Sequence, residues 1–392
     1  MLLLASHRRH LQRFSRTVRY RWKSLTIGLL LIWLTLLYKE SKEPSTNTEH
    51  TITTHSFELE NSFRQQLSVS PSSLTGLREP LPIEQSKAIC TQHKFKPYPQ
   101  RTPQRKVYDL FMINDELDWL EIRLHTLAAH VDYFVILESP YTFTGKPKPL
   151  VLKENWSRFA EFHSQMIYHA VEDMPVGSSR AWDYEDHQRN ALYTQVIPGL
   201  EGEKKANIGD VLIVADIDEI PRPITITILR NCQFPHRLTL RSQFYYYAFE
   251  WKHNGEEWAH PQATVYRGPS RTILPYNLRN GDGGNPISRL YDKAELWNAG
   301  WHCSTCFRNI SQVLSKMASF SHTSLNEEKF QDRKRIVGRI RKGLDLWDRE
   351  GETYTKIRPN NDIPEYVKHN GVKFSYLINR DSADAGFADY DV

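Results

Sequence analysis

Cysteine is scarce in this 392-residue chain, which has four, and no second closely spaced pair accompanies Cys303 and Cys306. A structural zinc site built from cysteines needs two such pairs, so the composition argues against one. In an oxidising compartment these two residues, with Cys90 and Cys232, could instead form two disulfide bridges, for which three pairings are possible. The close pair alone is also compatible with a redox motif.

Acidic residues are absent from residues 1–23, which carry seven Lys or Arg residues. The whole chain has 51 basic and 46 acidic residues. Without this segment, 44 basic and 46 acidic residues remain. The formal charge of +5 is therefore local. Because the remainder has no basic excess, no nucleic-acid partner is expected.

Long hydrophobic runs are also missing, apart from residues 24–38. This run is short against the roughly 20 residues of a typical membrane span, and a signal-peptide core is the competing interpretation. The basic segment before it is long for a signal peptide, and residues 39–43 lack the pattern of small residues that signal peptidase needs. We therefore predict a signal-anchor transmembrane helix at 24–38, a cytoplasmic tail at 1–23 and a lumenal remainder.

Residues 39–104 are rich in Ser, Thr, Pro, Glu and Gln, with few periodic apolar residues. This composition is typical of a flexible stem between a membrane and a folded domain. Two N-glycosylation sequons, at Asn155 and Asn309, agree with a lumenal location. No internal repeat or linker rich in Pro, Gly and Ser interrupts residues 105–392, which we predict to form one domain.

Apolar strands alternate with helices in the first half of this domain, which indicates a parallel sheet covered by helices on both faces. Strands are predicted at 107–113, 133–137, 166–171 and 211–215, and helices at 115–129, with Asn114 as N-cap, and at 182–197. The later part adds an aromatic strand at 238–249 and a charged amphipathic helix at 329–347. The predicted fold class is α/β, with a Rossmann-like, mostly parallel sheet flanked by helices.

The strand at 211–215 leads directly into an acidic pair, Asp216 and Asp218, and Pro221 follows. Open α/β sheets bind ligands at the ends of their strands. Side chains two residues apart in extended backbone share one face, so both carboxylates can face a Mg²⁺ or Mn²⁺ ion that binds the phosphates of a nucleotide. Solvated carboxylates that cap a strand are the alternative, but the apolar strand and the proline favour the metal site.

Two phosphate chemistries use such a pair. Phosphatases of the haloacid dehalogenase type attack phosphate with the first aspartate, and Gly281–Asn285 resembles their late acidic loop, but Pro286 stands where they have Asp. They also place the acidic pair on the first strand, whereas several predicted strands precede it here. The other chemistry is glycosyl transfer from a nucleotide sugar, in which a metal ion on the diphosphate stabilises the leaving group. The sequence favours the second.

Five blocks of sequence resemble glycosyltransferase family 17, in the same order. They are FMINDELDWLEIRL (111–124), VDYFVILES (131–139), DVLIVADIDEIPR (210–222), GWHCSTCF (300–307) and YVKHNGVKFSYL (366–377). The resemblance covers residues 106–380 and implies a GT-A-like fold for a catalytic domain at 105–392. It also implies a UDP-GlcNAc donor, a divalent metal ion, Mn²⁺ by preference, and inversion at the anomeric carbon. The implied enzyme is a type II protein of the Golgi membrane that adds N-acetylglucosamine in β-1,4 linkage to a mannose residue of an N-glycan or glycoprotein acceptor.

The resemblance also implies roles for individual residues. Asp218 is expected to contact the metal ion directly, and Asp216 to bind ribose or reach the metal ion through water. His302 resembles the late histidine that completes the metal site in many GT-A enzymes, although a lone histidine is more often structural. Glu219 is expected to orient the sugar or act as general base, with a salt bridge to Arg222 as the structural alternative.

Five further residues are candidates. Asn114 and Glu116 end the first strand, where GT-A folds hold the nucleoside, although helix capping accounts for Asn114 equally well. Arg189 could neutralise phosphate, or it could form an ordinary ion pair. Asp282, in a Gly-rich segment, is a second candidate base, or simply a turn residue, and Glu295 is a third.

The aromatic run Phe244–Tyr247, with Trp251 and Trp258, suits a wall on which an acceptor sugar stacks, although half of these side chains are expected to be core packing. Two rival functions stay open. One is transfer from another nucleotide sugar or to another acceptor, on the same fold. The other is a catalytically inactive glycan-binding protein, against which the intact Asp216 and Asp218 argue.

Overall fold

The computed structural model describes residues 78–171, 173, 181–319 and 326–391. The predicted tail and anchor, and the predicted stem up to residue 77, lie outside these ranges. Within the described ranges, no helix has both the length and the hydrophobicity needed to cross a membrane.

The described residues form eleven α-helices and twelve strands. The helices are α1 (Ile83–Gln92), α2 (Leu117–Leu127), α3 (Val151–Glu154), α4 (Ala181–Ala191), α5 (Pro223–Asn231), α6 (Pro275–Arg279), α7 (Pro286–Tyr291), α8 (Ile310–Ser319), α9 (Arg333–Lys342), α10 (Glu365–His369) and α11 (Ser375–Ile378). The strands are β1 (Lys96–Pro97), β2 (Val107–Ile113), β3 (Tyr133–Glu138), β4 (Met166–Ala170), β5 (Val211–Asp216), β6 (Glu219–Pro221), β7 (Cys232–Gln233), β8 (Arg237–Tyr246), β9 (Ala248–His253), β10 (Gln262–Val265), β11 (Lys293–Ser304) and β12 (Tyr354–Lys356).

Four parallel strands, in the order β4–β3–β2–β5, form the half of the main sheet that carries the acidic pair. The apolar runs of β2, β3 and β5 are buried on both faces, as strands covered by helices on each side require, whereas most residues of the edge strand β4 are only partly buried. Along β2, Val107 and Phe111 pack into the same core as α2 and α5, whereas Tyr108 and Leu110 pack into a second core with the residues that follow α4. The predicted strands at 107–113, 133–137, 166–171 and 211–215 are therefore confirmed, to within one residue at their ends.

The second half of the sheet is mainly antiparallel. Strand β10 pairs antiparallel with β5 and with β8, and the sheet continues through β9 to β12. Strand β11 runs parallel to β8 along one edge and pairs antiparallel with β6. Four of the nine strand pairs in the main sheet are parallel, so the prediction of a mostly parallel sheet holds only for the first half. The architecture is a mixed α/β sheet with flanking helices.

Single residues decide where three predicted elements end. Glu116, not Asn114, is the N-cap of α2. The predicted strand at 238–249 divides at Tyr247, whose left-handed φ of 67° turns β8 into β9. Helix α9 stops well before residue 347 because Gly343 adopts φ 61°, and a Cβ atom there would lie 2.4 Å from the ring of Trp251.

Residues 78–104, which the sequence analysis placed in the stem, pack against the domain. A disulfide bridge joins Cys90 on α1 to Cys232, and β1 pairs with β7. The second bridge joins Cys303 to Cys306. Of the three possible pairings of the four cysteines, the structure therefore has Cys90–Cys232 together with Cys303–Cys306. The folded unit therefore begins before residue 105, the predicted boundary.

Candidate active site

A cleft of about 780 Å³, including the part open to solvent, lies at the carboxyl ends of β2 and β5. Parallel strands end on the same edge of a sheet, so the residues that follow β2 and β5 meet there. The walls come from the segments after β2, β3 and β5 and from helices α4 and α8. The lining residues are Met112, Ile113, Asn114, Glu116, Tyr141, Thr142, Phe143, Lys148, Glu185, Gln188, Arg189, Asp216, Ile217, Asp218, Lys316 and Ser319.

Asp216, the last residue of β5, is held by two arginines. Arg189 Nη1 donates to its Oδ1 at 2.9 Å, and Arg279 Nη2 donates to its Oδ2 at 2.7 Å. Burial alone would raise the pKa of Asp216, but the charges of Arg189 and Arg279 outweigh burial and lower the pKa. Both carboxylate oxygens of Asp216 are thus paired.

Asp218 has different surroundings, because no arginine contacts its carboxylate among the described residues. Its Oδ1 lies 3.6 Å from His302 Nδ1, and its Oδ2 lies 3.6 Å from Lys316 Nζ. These distances are too long for direct hydrogen bonds. Asp218 is therefore the member of the acidic pair whose oxygens are available to a ligand.

His302 reaches Asp218 through strand pairing, because β11 and β6 place it opposite Glu219. Its ring packs against those of Phe244 and Trp258, with centroids 5.0 and 4.8 Å away, and these two rings also contact each other. The side chain is only 8% exposed, and its Nδ1 has no hydrogen-bond partner among the described residues. A buried, unpaired imidazole nitrogen next to a carboxylate fits a pair of metal ligands.

This donor set is small. The described residues contain no group of three or more His, Cys, Asp or Glu side chains that could hold a metal ion. Among the residues discussed, Asp218 and His302 could supply two protein ligands to an ion.

Glu219 is fully buried and paired, which argues against the general-base prediction. Trp258 Nε1 donates to its Oε1 at 2.7 Å, and Arg279 donates to both oxygens at 2.7 and 2.8 Å. Burial favours the neutral acid, but Arg279 outweighs burial and holds the pKa of Glu219 well below its ordinary value. The predicted alternative partner, Arg222, instead pairs with Asp362 at 2.6 Å. Glu219 has no oxygen left to accept a proton from an acceptor hydroxyl.

Arg189 and Asn114, predicted to bind the donor, both line the cleft. Arg189 also donates to Glu185 at 2.8 Å, so its charge is shared between two carboxylates. The Asn114 carbonyl oxygen accepts from Lys148 Nζ at 3.3 Å. Burial lowers the pKa of Lys148. Lys148 and Lys316, which the sequence analysis did not single out, place two more positive charges at the cleft.

The other two candidate bases lie elsewhere. Asp282 follows α6, its side chain is 57% exposed, and its nearest cation is Arg289 at 3.7 Å. Glu295 on β11 pairs with Arg241 at 2.7 Å. Neither residue lines the described cleft.

Of the aromatic side chains predicted to stack on an acceptor sugar, only two are partly accessible. Phe244 and Trp258 are half-buried, and both contact His302. The others are core residues, namely Tyr245, Tyr246, Tyr247 and Trp251.

The sequence did not mark Arg279 as a site residue, because no local pattern distinguishes an arginine of the short helix α6 from a surface residue.

Glu116 lines the cleft at the end of β2 and has a raised pKa. Burial and the nearby charge of Asp115 raise the pKa of Glu116 to about 7, although its Oε2 accepts hydrogen bonds from the main-chain N–H groups of Asn114 and Asp115. A proton is thus held more tightly in the folded than in the unfolded state.

The Glu116→Gln variant should therefore be less sensitive to pH than the wild type. In the wild type this group makes stability fall as pH rises from 4.5, the ordinary value, to about 7, because the unfolded chain ionises first. We expect the variant to lack this decrease, on the order of 3 kcal/mol, in urea unfolding across that interval. Glu201→Gln, at an exposed position, is the control and should keep the wild-type slope. An unchanged slope in Glu116→Gln would contradict the raised pKa.

Comparison with known proteins identifies the family of this chain. A model described as glycosyltransferase family 17 matches residues 80–381. Two curated relatives are named beta-1,4-mannosyl-glycoprotein 4-beta-N-acetylglucosaminyltransferase, from Homo sapiens and Rattus norvegicus, and each is 27% identical, over 307 and 306 residues. The alignments cover 72% and 71% of this chain and 56% and 55% of the relatives, so the chain spans little more than half of their length.

A solved structure described as "Crystal Structure of a Mycobacterial Protein" is 12% identical and covers 68% of this chain and 81% of its own. Its TM-score of 0.30 is too low to support a structural argument. The family model, in contrast, matches most of the chain and includes the acidic pair and His302. The chain therefore belongs to glycosyltransferase family 17.

Proposed function

We propose that this chain is a glycosyltransferase that transfers N-acetylglucosamine from UDP-GlcNAc to a mannose residue of an N-glycan, in β-1,4 linkage and with inversion at the anomeric carbon. The names of its curated relatives support the sugar and the acceptor. The observation that carries the proposal is the Asp218–His302 pair beside a cleft at the strand ends, where open α/β sheets bind nucleotides.

A divalent metal ion, Mn²⁺ by preference, is part of the proposal. Asp218 and His302 would hold it, and a bound ion supplies Lewis-acid stabilisation of the negative charge that grows on a departing diphosphate. The fit rests on the unpaired Nδ1 of His302 and on the absence of an arginine at Asp218 among the described residues.

The cleft side chains support binding of the donor. Lys148, Lys316 and Arg189 place positive charge where a diphosphate would lie, and buried cations of this kind bind phosphate oxygens strongly. Asn114, at the end of β2, is proposed to contact the nucleoside. Glu116 was predicted for the same contact, but its raised pKa favours a different role. A GT-A arrangement of these parts stays a prediction.

The acceptor hydroxyl needs a general base, and none of the three carboxylates predicted for this role lines the described cleft with a free oxygen. Glu116 lines the cleft and has a pKa of about 7, in the range where a general base works at neutral pH. We therefore propose Glu116, in place of Glu219, as the first carboxylate to test for this role.

The location is also a proposal. Residues 24–38 would anchor the protein in the Golgi membrane, with a stem that now ends before α1 and with the catalytic domain in the lumen. The two disulfide bridges support a lumenal domain, because such bridges persist in oxidising compartments.

The proposal is tested by incubating the purified full chain with UDP-GlcNAc and an N-glycan, with Mn²⁺ and with a chelator. Mass spectrometry should show one added N-acetylhexosamine with Mn²⁺ and none with the chelator. Glycosidase digestion and methylation analysis should place it in β-1,4 linkage on mannose. Parallel reactions with other UDP-sugars and acceptors would show whether a different substrate is preferred.

Three results would overturn the proposal. Full turnover with the chelator would show that the reaction needs no metal ion. Transfer of a different sugar would show that UDP-GlcNAc is not the preferred donor. Binding of UDP-GlcNAc and glycan without transfer would indicate the catalytically inactive glycan-binding protein.

A further inference from the structure

Arg123, on helix α2, has a fully buried guanidinium group behind the loop at residues 216–219, which is called the acidic loop below. Its Nε and Nη2 donate to the two oxygens of Asp109 on β2, at 2.7 and 2.6 Å, and Asp109 is buried as completely. The guanidinium also lies over the ring of Phe111, 4.6 Å from its centroid. Burying two charges costs desolvation energy that their attraction only partly recovers, so stability alone does not account for this pair.

The remaining nitrogen of Arg123, Nη1, reaches the loop at residues 216–219, which carries both aspartates. It donates to the carbonyl oxygens of Asp216, Ile217 and Glu219, at 3.0, 3.2 and 2.8 Å. The fourth carbonyl of the loop, that of Asp218, accepts from the main-chain N–H of Cys303 at 3.4 Å. One side chain thus determines where three of the four carbonyl groups point.

We propose that Arg123 is a positioning residue that holds the main chain of the loop at 216–219, so that the Asp218 carboxylate lies beside His302. Asp109 in turn orients Arg123 through the two-point contact. Arg123 lies behind the loop rather than on the described cleft wall, so it acts through the backbone of the loop and not on the substrate. The catalytic consequence rests on the proposed function, whereas the order of the loop can be measured without turnover.

Lysine cannot replace arginine here, for a geometric reason. A planar guanidinium can donate to a carboxylate along one edge while its third nitrogen faces a set of carbonyl groups. An ammonium group is a single point and cannot reach Asp109 and the loop together. The Arg123→Lys variant keeps the charge and loses this arrangement.

The chain offers a matched control in Arg230 on α5. Its side chain is 1% exposed, and it donates to Asp132 at 2.8 Å and to the carbonyl oxygens of Arg105 and His130 at 2.6 and 2.7 Å. Arg230 therefore links a carboxylate to the main chain as Arg123 does, but it does not line the described cleft. Arg230→Lys removes a similar set of contacts at a different place.

The experiment compares the full chain with Arg123→Lys, Asp109→Asn and Arg230→Lys. Hydrogen–deuterium exchange should become faster in the peptide covering residues 211–222 for the first two variants and stay at the wild-type rate there for Arg230→Lys. We also expect kcat/KM for UDP-GlcNAc to fall about 10- to 100-fold in Arg123→Lys, because small displacements of catalytic groups have effects of this size. Arg230→Lys should keep the wild-type value for the folded protein. If Arg123→Lys does not fold, Asp109→Asn tests the same contact.

The outcomes separate this inference from the proposed function. Unchanged exchange at 211–222 in Arg123→Lys and Asp109→Asn would overturn the positioning role, whether or not the wild type transfers N-acetylglucosamine. Equal losses of activity in Arg123→Lys and Arg230→Lys would also overturn it, because general destabilisation would then suffice. Faster exchange in a chain whose wild type transfers no sugar would leave the positioning role in place and reject the proposed function.

Discussion

Replacing Asp218 with alanine is expected to lower the rate of transfer about a thousandfold or more while the domain stays folded. The carboxylate is 12% exposed, and its two nearest partners, His302 and Lys316, are each 3.6 Å away. Its removal therefore breaks no direct hydrogen bond of the side chain in the described structure. The metal ion and diphosphate of the proposed reaction, in contrast, would lose their closest protein oxygen.

The measurement combines initial rates of N-acetylglucosamine transfer with a thermal unfolding curve for the same preparation. Asp282→Ala is the control, since that carboxylate is exposed and lies outside the described cleft, and it should retain wild-type rates. A large loss in Asp282→Ala would restore Asp282 as the general base. An unfolded Asp218→Ala protein would show that Asp218 is structural.

Replacing Arg279 with methionine is expected to lower the free energy of unfolding by about 3–5 kcal/mol, the usual cost of leaving a buried charge without its partner. Arg279 donates to Asp216 and to both oxygens of Glu219, and Glu219 has no solvent exposure. Without Arg279, the buried carboxylate of Glu219 loses its counter-charge and is repelled by the neighbouring carboxylate of Asp216.

This loss should depend on pH. Asp216 and Glu219 have lowered pKa values in the folded state, so their pairing with Arg279 stabilises the protein above their ordinary values of 3.8 and 4.5. That stabilisation disappears as pH falls through the still lower folded-state values. The difference between wild type and Arg279→Met, measured by urea unfolding, should therefore be large at neutral pH and shrink in acid.

The control for Arg279→Met is Arg289→Met in the neighbouring helix α7. Arg289 is 39% exposed and lies 3.7 Å from Asp282, so its loss should change stability by less than about 1 kcal/mol. Equal effects of the two substitutions at neutral pH would show that Arg279 is not the counter-charge of the acidic loop.

The part of the fold that could be predicted is the part with local patterns. The apolar runs at 107–113, 133–137 and 211–215 predict buried strands because each run is apolar on both faces, and the structure has them. Asp216 and Asp218 could be placed at a strand end for the same reason. The antiparallel second half could not be predicted, since it depends on which strands meet and on the left-handed turn at Tyr247.

The candidate site shows the same division. The sequence marked Asp216, Asp218 and His302, through an acidic pair after a strand and a resemblance to a known family. It did not show that the carboxylate of Glu219 is occupied by hydrogen bonds from Arg279 and Trp258, because these residues lie 60 and 39 positions away in the chain. Arg123 was likewise unmarked, since an arginine in an amphipathic helix is usually exposed.

The sequence by itself determined the family, the parallel strands and the position of the acidic pair, because short-range apolar periodicity and contiguous blocks carry that information. Only the tertiary structure decided which carboxylate of the loop at residues 216–219 is available to a ligand. Asp216 and Glu219 are neutralised by arginines brought from α4 and α6, whereas Asp218 faces an unpaired ring nitrogen on β11. The physical reason is that the state of a buried charge depends on the partners that folding places within a few ångströms, and these partners are distant in the chain.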